Sequence, residues 1–156
     1  MIFFGIDAGF SGAVAILEPS TGYLEIRDMP VMPAANGKVE LAHHALLDLL
    51  AVEDNSKHVC ILEKVSARPN QGVVSMFRFG ECYGAIQMAI AASELELKYV
   101  TPQTWKRYFG LTSDKDTSRA LACQRFPKHA HYFKRKKDDG RAEATLIALW
   151  GSEVFK

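Results

Sequence analysis

The chain has 156 residues, 48% hydrophobic and 24% charged, with a formal net charge of +1. That length fits one domain with one substantial core, and the near-neutral total excludes a chain that is basic throughout, so any nucleic-acid signal must lie in how the charges are distributed. Cys60, Cys82 and Cys123 lack zinc-knuckle spacing, no apolar run reaches membrane-spanning length, and no basic region precedes the apolar N-terminus, which together predict a cytosolic protein.

In chain order, residues 2–7 and 13–17 read as a hairpin around Ala8-Gly9-Phe10-Ser11-Gly12, and residues 23–28 as a third strand after the turn Pro19-Ser20-Thr21-Gly22. Short turns between three strands imply an antiparallel meander. Residues 29–38 hold too many Pro and Gly residues for regular structure. Residues 39–53 read as a helix with Leu41, Leu46, Leu49 and Leu50 near one face. Its adjacent His43 and His44 cannot share a helix face and are a weak metal signal. Residues 58–63 form a nearly all-apolar strand of the kind covered on both faces, with Cys60 as a small buried hydrophobe.

A loop over 65–72 leads to a long helix over 73–95, whose small residues and whose Phe77 and Phe79 allow apolar packing on two sides. A brief strand over 98–100 precedes Thr101-Pro102, where Thr caps a helix and Pro occupies its first turn. Another helix opens at Ser113-Asp114 and stops at Pro127. The run from Lys128 to Lys137 holds five Lys or Arg and no acid, and a last helix runs from Arg141 to about Val154. This order predicts an α/β domain: a mixed five-stranded sheet, three strands in a meander plus two more, flanked by helices.

Four acids punctuate this plan. Asp7 closes the first strand, Glu63 closes the fourth, Asp138 or Asp139 stands at the mouth of the last helix, and Glu143 lies one turn in. An ionised carboxylate is costly to bury unless it is paired or bound to a metal. Taken singly, each acid also suits a turn or a helix N-terminus. Brought together they would repel by about 4 kcal/mol per close pair, and they stay ionised most easily around hard divalent cations such as Mg²⁺ or Mn²⁺. Two such ions are the usual machinery of phosphodiester hydrolysis. The basic run, Lys128, Lys134, Arg135, Lys136 and Lys137, would hold phosphates beside that site, and about five such contacts give a log-log salt slope of roughly −4.5 on duplex DNA. Lys106, Arg107, Lys115 and Arg119 add cations on the preceding helices.

Gly5-Ile6-Asp7-Ala8-Gly9 with Ser11-Gly12-Ala13, Ile61-Leu62-Glu63, Thr101-Pro102 with Trp105-Lys106, and Asp139-Gly140-Arg141-Ala142-Glu143-Ala144 follow one another along nearly the whole chain. In these motifs the sequence resembles the RuvC family of Holliday junction resolvases, most closely its short phage-type members. The resemblance implies an RNase H-like fold, a homodimer, two Mg²⁺ ions per site for which Mn²⁺ substitutes, and symmetric nicking of four-way DNA junctions in a bacterial or phage-infected cytosol. It implies Asp7, Glu63, Asp139 and Glu143 as metal ligands, with Asp138 the alternative to Asp139. The family's last acid is usually Asp, three residues from its partner, whereas Glu143 is four from Asp139. Lys106 resembles a family lysine near the scissile phosphate, and Lys115 or Arg119 is nearest to a second. The loop with Arg68, Asn70 and Gln71 falls where the family enters the junction, and the 73–95 helix is the expected dimer surface. The competing readings are a broader branched-DNA or flap nuclease, an inactive RNase H-like DNA-binding module, and an actin-like phosphotransferase fragment, for which this length is too short.

Overall fold

The structure, a computed structural model, describes residues 1–52, 58–67 and 69–155. Strands β1 (Phe3–Asp7), β2 (Ala13–Glu18) and β3 (Tyr23–Asp28) form the expected meander. Strand β4 (Val31–Pro33) pairs with β5 (Val39–Leu41) in a separate small ribbon, followed by α1 (His43–Leu50) and β6 (Val59–Glu63). Helix α2 (Val73–Ala92), β7 (Glu96–Val100), α3 (Pro102–Tyr108), α4 (Lys115–Arg125) and α5 (Asp139–Val154) complete the chain. The main sheet has the order β3-β2-β1-β6-β7, with β1, β6 and β7 parallel. This is the mixed five-stranded sheet read from the sequence.

Side chains alternate across each strand, so the sheet divides the core in two. Phe3, Ala13, Ala15, Val59 and Ile61 face α3, α4 and α5. Phe4, Ile6, Val14, Cys60 and Leu62 face α1 and α2. Every residue of β6 is buried, which explains its lack of polar alternation. Helix α5 lies against β1 at backbone distance. A Cβ on Gly5 would stand 2.2 Å from the Ala144 carbonyl oxygen and 2.4 Å from the Ala148 nitrogen, so only glycine permits this approach.

Several boundaries differ from the sequence reading. The supposed irregular stretch 29–38 contains β4 and a 3₁₀ turn at Ala35–Gly37, where Gly37 reverses the chain at φ 68°. Its partner β5 takes Val39, Glu40 and Leu41 from the expected helix 39–53, which starts only at His43. Residue 53 lies outside the described residues. Helix α2 stops at Ala92 rather than 95, because Glu94 takes a positive φ of 55° and Leu95 turns into the core. The basic run, to which the sequence reading gave no secondary structure, folds into two 3₁₀ turns, Pro127–Tyr132 and Lys136–Asp138, joined through the buried Phe133. As a result α5 begins at Asp139, two residues before the predicted start.

Candidate active site

The register pairs Ile6 with Leu62, so the next residues, Asp7 and Glu63, end two parallel strands side by side. Alternation puts both on the α5 face, with Gly5 and Ile61. Helix α5 passes over them with Gly140 in its first turn. A Cβ there would lie 3.1 Å from Asp7 Oδ2 and 2.8 Å from the Ser11 carbonyl oxygen. One turn on, Glu143 joins Asp7 and Glu63 in lining a cavity of about 970 Å³, together with Ser11, Lys106 and Lys115. Arg107, Gln103, Thr112 and Ser113 complete its polar wall. Among the described residues, these three carboxylates from three separate elements share one opening.

Their electrostatics are coupled. Burial raises the Asp7 carboxyl well above its usual range, the negative charges of Glu143 and Glu63 add to that rise, and Lys115 and Lys106 oppose it. Asp7 keeps part of its surface open to the cavity while protein encloses its other sides. Trp105 Nε1 donates to Glu63 Oε1 at 2.7 Å, and Lys106 Nζ donates to Glu143 Oε1 at 2.8 Å. Among the described residues no three His, Cys, Asp or Glu side chains converge on one point at ligating distance; Glu63 and Glu143 are turned toward protein donors. By donor chemistry the cavity suits a hard divalent cation: it offers carboxylate, hydroxyl and amide oxygens with no His or Cys, and a bound ion would offset the burial and the like charges that raise Asp7.

The two acids before α5 have separate surroundings. Asp138 is 1% exposed and does not line the cavity. Its Oδ2 accepts from the Arg135 backbone at 2.9 Å, its Oδ1 accepts from Arg135 Nη2 at 2.9 Å, and Arg141 Nη1 lies 3.5 Å away. Burial works to raise Asp138, but the Arg135 hydrogen bonds outweigh it and leave the carboxyl below its usual range. Arg141 in turn donates two 2.6 Å bonds to Asp28 on β3. Asp139 points elsewhere: Arg119 Nε stands 3.0 Å from its Oδ1 and Lys115 Nζ 3.9 Å from its Oδ2. The Arg119 contact is close but misaligned, so neither of those two buried atoms has a hydrogen-bond partner.

The expected DNA-binding residues divide similarly. Lys106, Arg107 and Lys115 line the cavity, whereas Lys128, Lys134, Arg135, Lys136 and Lys137 lie on the surface outside it. The Arg119 side chain is only 13% exposed and is held by Asp116 and Asp139. Gln71 lines a neighbouring cavity of about 710 Å³ that shares Glu63, Pro102 and Gln103 with the first. Asn70 sits in an exposed turn at φ 64°. Arg68 lies outside the described residues. The sequence reading missed the cavity positions Ser11, Gln103 and Thr112, single polar residues in turns and a short helix that carry no spacing signal. It also missed the partner of Trp105, although a buried indole N–H requires an acceptor.

No family model matches the sequence, and no curated protein matches it. Solved structures do resemble the fold. Thermus thermophilus RuvC aligns over 99% of this chain and 97% of its own, with a TM-score of 0.61 and 14% identity. Thermus thermophilus RuvC in complex with Holliday junction substrate aligns over 97% of this chain and 93% of its own, with a TM-score of 0.58 and 15% identity. The fowlpox virus Holliday junction resolvase aligns over all of both chains, with a TM-score of 0.52 and 17% identity. Sheet order, flanking helices and these neighbours together establish an RNase H-like fold of the RuvC resolvase type.

Proposed function

We propose that this chain is a metal-dependent endodeoxyribonuclease that resolves four-way DNA junctions by paired symmetric nicks. The observation that carries this reading is the sharing of one open cavity by Asp7, Glu63 and Glu143, beside Lys106, on a fold found in Holliday junction resolvases. One of those neighbours is described bound to its junction substrate, which supports branched DNA as the substrate class here. Asp7, Glu63 and Glu143 would hold two Mg²⁺ ions, or Mn²⁺ in their place, with Asp139 as fourth ligand once Arg119 and Lys115 turn from it. Asp139 is preferred to Asp138 because two arginines already claim Asp138 in a buried setting. When bound, the ions supply charge for the attacking water and the leaving oxygen. Lys106, now on Glu143, is within reach of a phosphate entering the cavity, and Arg107 and Lys115 add positive charge along its wall. The exposed lysines of the 128–137 segment would hold the flanking backbone.

Symmetric nicking needs two such sites, and we propose a homodimer through α2. Val73, Phe77, Gly80, Gly84 and Met88 recur on one face, opposite the buried Cys82, Ile86 and Ile90, and Phe77 and Met88 are 68% and 67% exposed. The test is incubation with a mobile four-way junction, a flap and plain duplex, with Mg²⁺ or with EDTA. Paired nicks confined to the junction and lost in EDTA are expected. Equal cutting of the flap would replace this reading with a broader branched-DNA nuclease.

A further inference from the structure

Resting on that reading of the carboxylate site, we propose that Trp105 is a positioning residue that aims the Glu63 and Glu143 carboxylates together. Trp105 is fully buried, one turn into α3 after Thr101, whose hydroxyl caps the helix by accepting from the Thr104 N–H. Its indole does two things at once. The ring N–H donates to Glu63 Oε1 at 2.7 Å, a charge-assisted bond in a buried setting. The ring face lies 5.1 Å beneath Lys106 Nζ, the same ammonium that donates to Glu143 Oε1. One rigid side chain thus touches the carboxylate of β6 directly and reaches the carboxylate of α5 through its sequence neighbour.

Packing alone does not account for this arrangement. A phenyl or leucyl group fills apolar space without a donor, whereas an indole buried completely must find an acceptor, and here the acceptor is a cavity carboxylate. The bond engages one oxygen of Glu63 and restrains the orientation of the carboxylate at the cavity. Partners that orient a ligating carboxylate in this way commonly govern metal affinity by about 10- to 100-fold.

Trp105→Phe deletes the donor, together with the volume of the five-membered ring, and retains an aromatic side chain at this position. Calorimetry with Mn²⁺ alone, without DNA, should show affinity weakened about tenfold or more. The half-saturating Mg²⁺ for cleavage should rise by a similar factor, with much of the rate recovered at saturating metal. A Trp105→Phe protein whose thermal midpoint falls while its Mn²⁺ affinity stays within twofold of wild type would reduce Trp105 to a core residue. A second measurement needs no folded variant at position 105. The wild-type chain has two indole N–H resonances, from Trp105 and Trp150, and Trp150→Phe identifies the former. Added Mg²⁺ should move the Trp105 signal and leave that of Trp150 in place; a Trp105 signal unmoved by saturating Mg²⁺ overturns the proposal. Glu63→Gln separates the two levels of the argument. If it leaves Mn²⁺ binding intact, the metal site itself is misread; if it abolishes binding while Trp105→Phe does not weaken it, only the role of Trp105 falls.

Discussion

Asp7 is buried beside two like charges, Glu143 and Glu63, and its behaviour should show that directly. Burial and the neighbouring Glu143 and Glu63 raise its carboxyl, so the folded chain holds that proton more tightly than the unfolded chain does. The resulting penalty is absent below the ordinary carboxylate range, grows as pH rises from there to the elevated folded value, and is complete above it. In EDTA, Asp7→Asn should therefore raise the thermal midpoint at neutral pH, and the gain should vanish at acid pH. The same change should cut cleavage about a thousandfold, roughly 4 kcal/mol in the barrier, while junction binding by gel shift persists. Surviving cleavage would remove Asp7 from the chemistry. Asp138 and Asp139, adjacent in sequence, should respond in opposite ways. Asp138→Asn weakens its bonds to Arg135 and its pairing with Arg141, and should lower stability by about 2 kcal/mol in urea titrations with cleavage retained. Asp139→Asn should leave the midpoint near wild type and lose cleavage. Lost cleavage with unchanged stability in Asp138→Asn would reverse the assignment.

At the scale of elements, the decisive contact is α5 on β1, where no side chain intervenes at Gly5. Gly5→Ala forces a methyl group to within 2.2 Å of a helix carbonyl, so α5 must shift and carry Glu143 with it. The expected cost is about 3 kcal/mol of stability in urea unfolding, with cleavage reduced beyond what the smaller folded fraction explains. Stability and activity unchanged in this variant would mean that the helix can move off the strand without disturbing the site. The strands and the long helices were legible in the sequence because their apolar periods are strong and their ends carry Gly, Pro or a cap, as at Thr101-Pro102. The β4–β5 ribbon was not, because three-residue strands have no period to read and their order depends on Gly37 reversing the chain. The meeting of Asp7 and Glu63 could be anticipated from strand ends and simple crossovers. The different surroundings of Asp138 and Asp139 could not, because they depend on which cations fold back onto each of them, and the sequence holds no spacing rule for that.

For the whole molecule, the exposed apolar stripe of α2 and the surface cations make separable predictions. Phe77→Glu or Met88→Glu should convert a dimer to a monomer in sedimentation equilibrium and turn paired junction nicks into single ones, while each remaining fold keeps its melting profile. Dimers persisting in both variants would place the interface elsewhere. Replacing Lys134, Lys136 and Lys137 with Gln should weaken binding to all DNA forms alike and flatten the salt slope by roughly 0.9 for each phosphate that is no longer neutralised. The arrangement of the site along the chain has one more consequence. Arg141 reaches back 113 residues to Asp28, and Glu143 reaches a cavity whose other acids sit on β1 and β6. During synthesis the first two carboxylates emerge early, yet the third arrives only when α5 leaves the ribosome and docks. Under the proposed function, a nascent chain that has not yet folded α5 lacks the third carboxylate of the cavity and should not cut DNA.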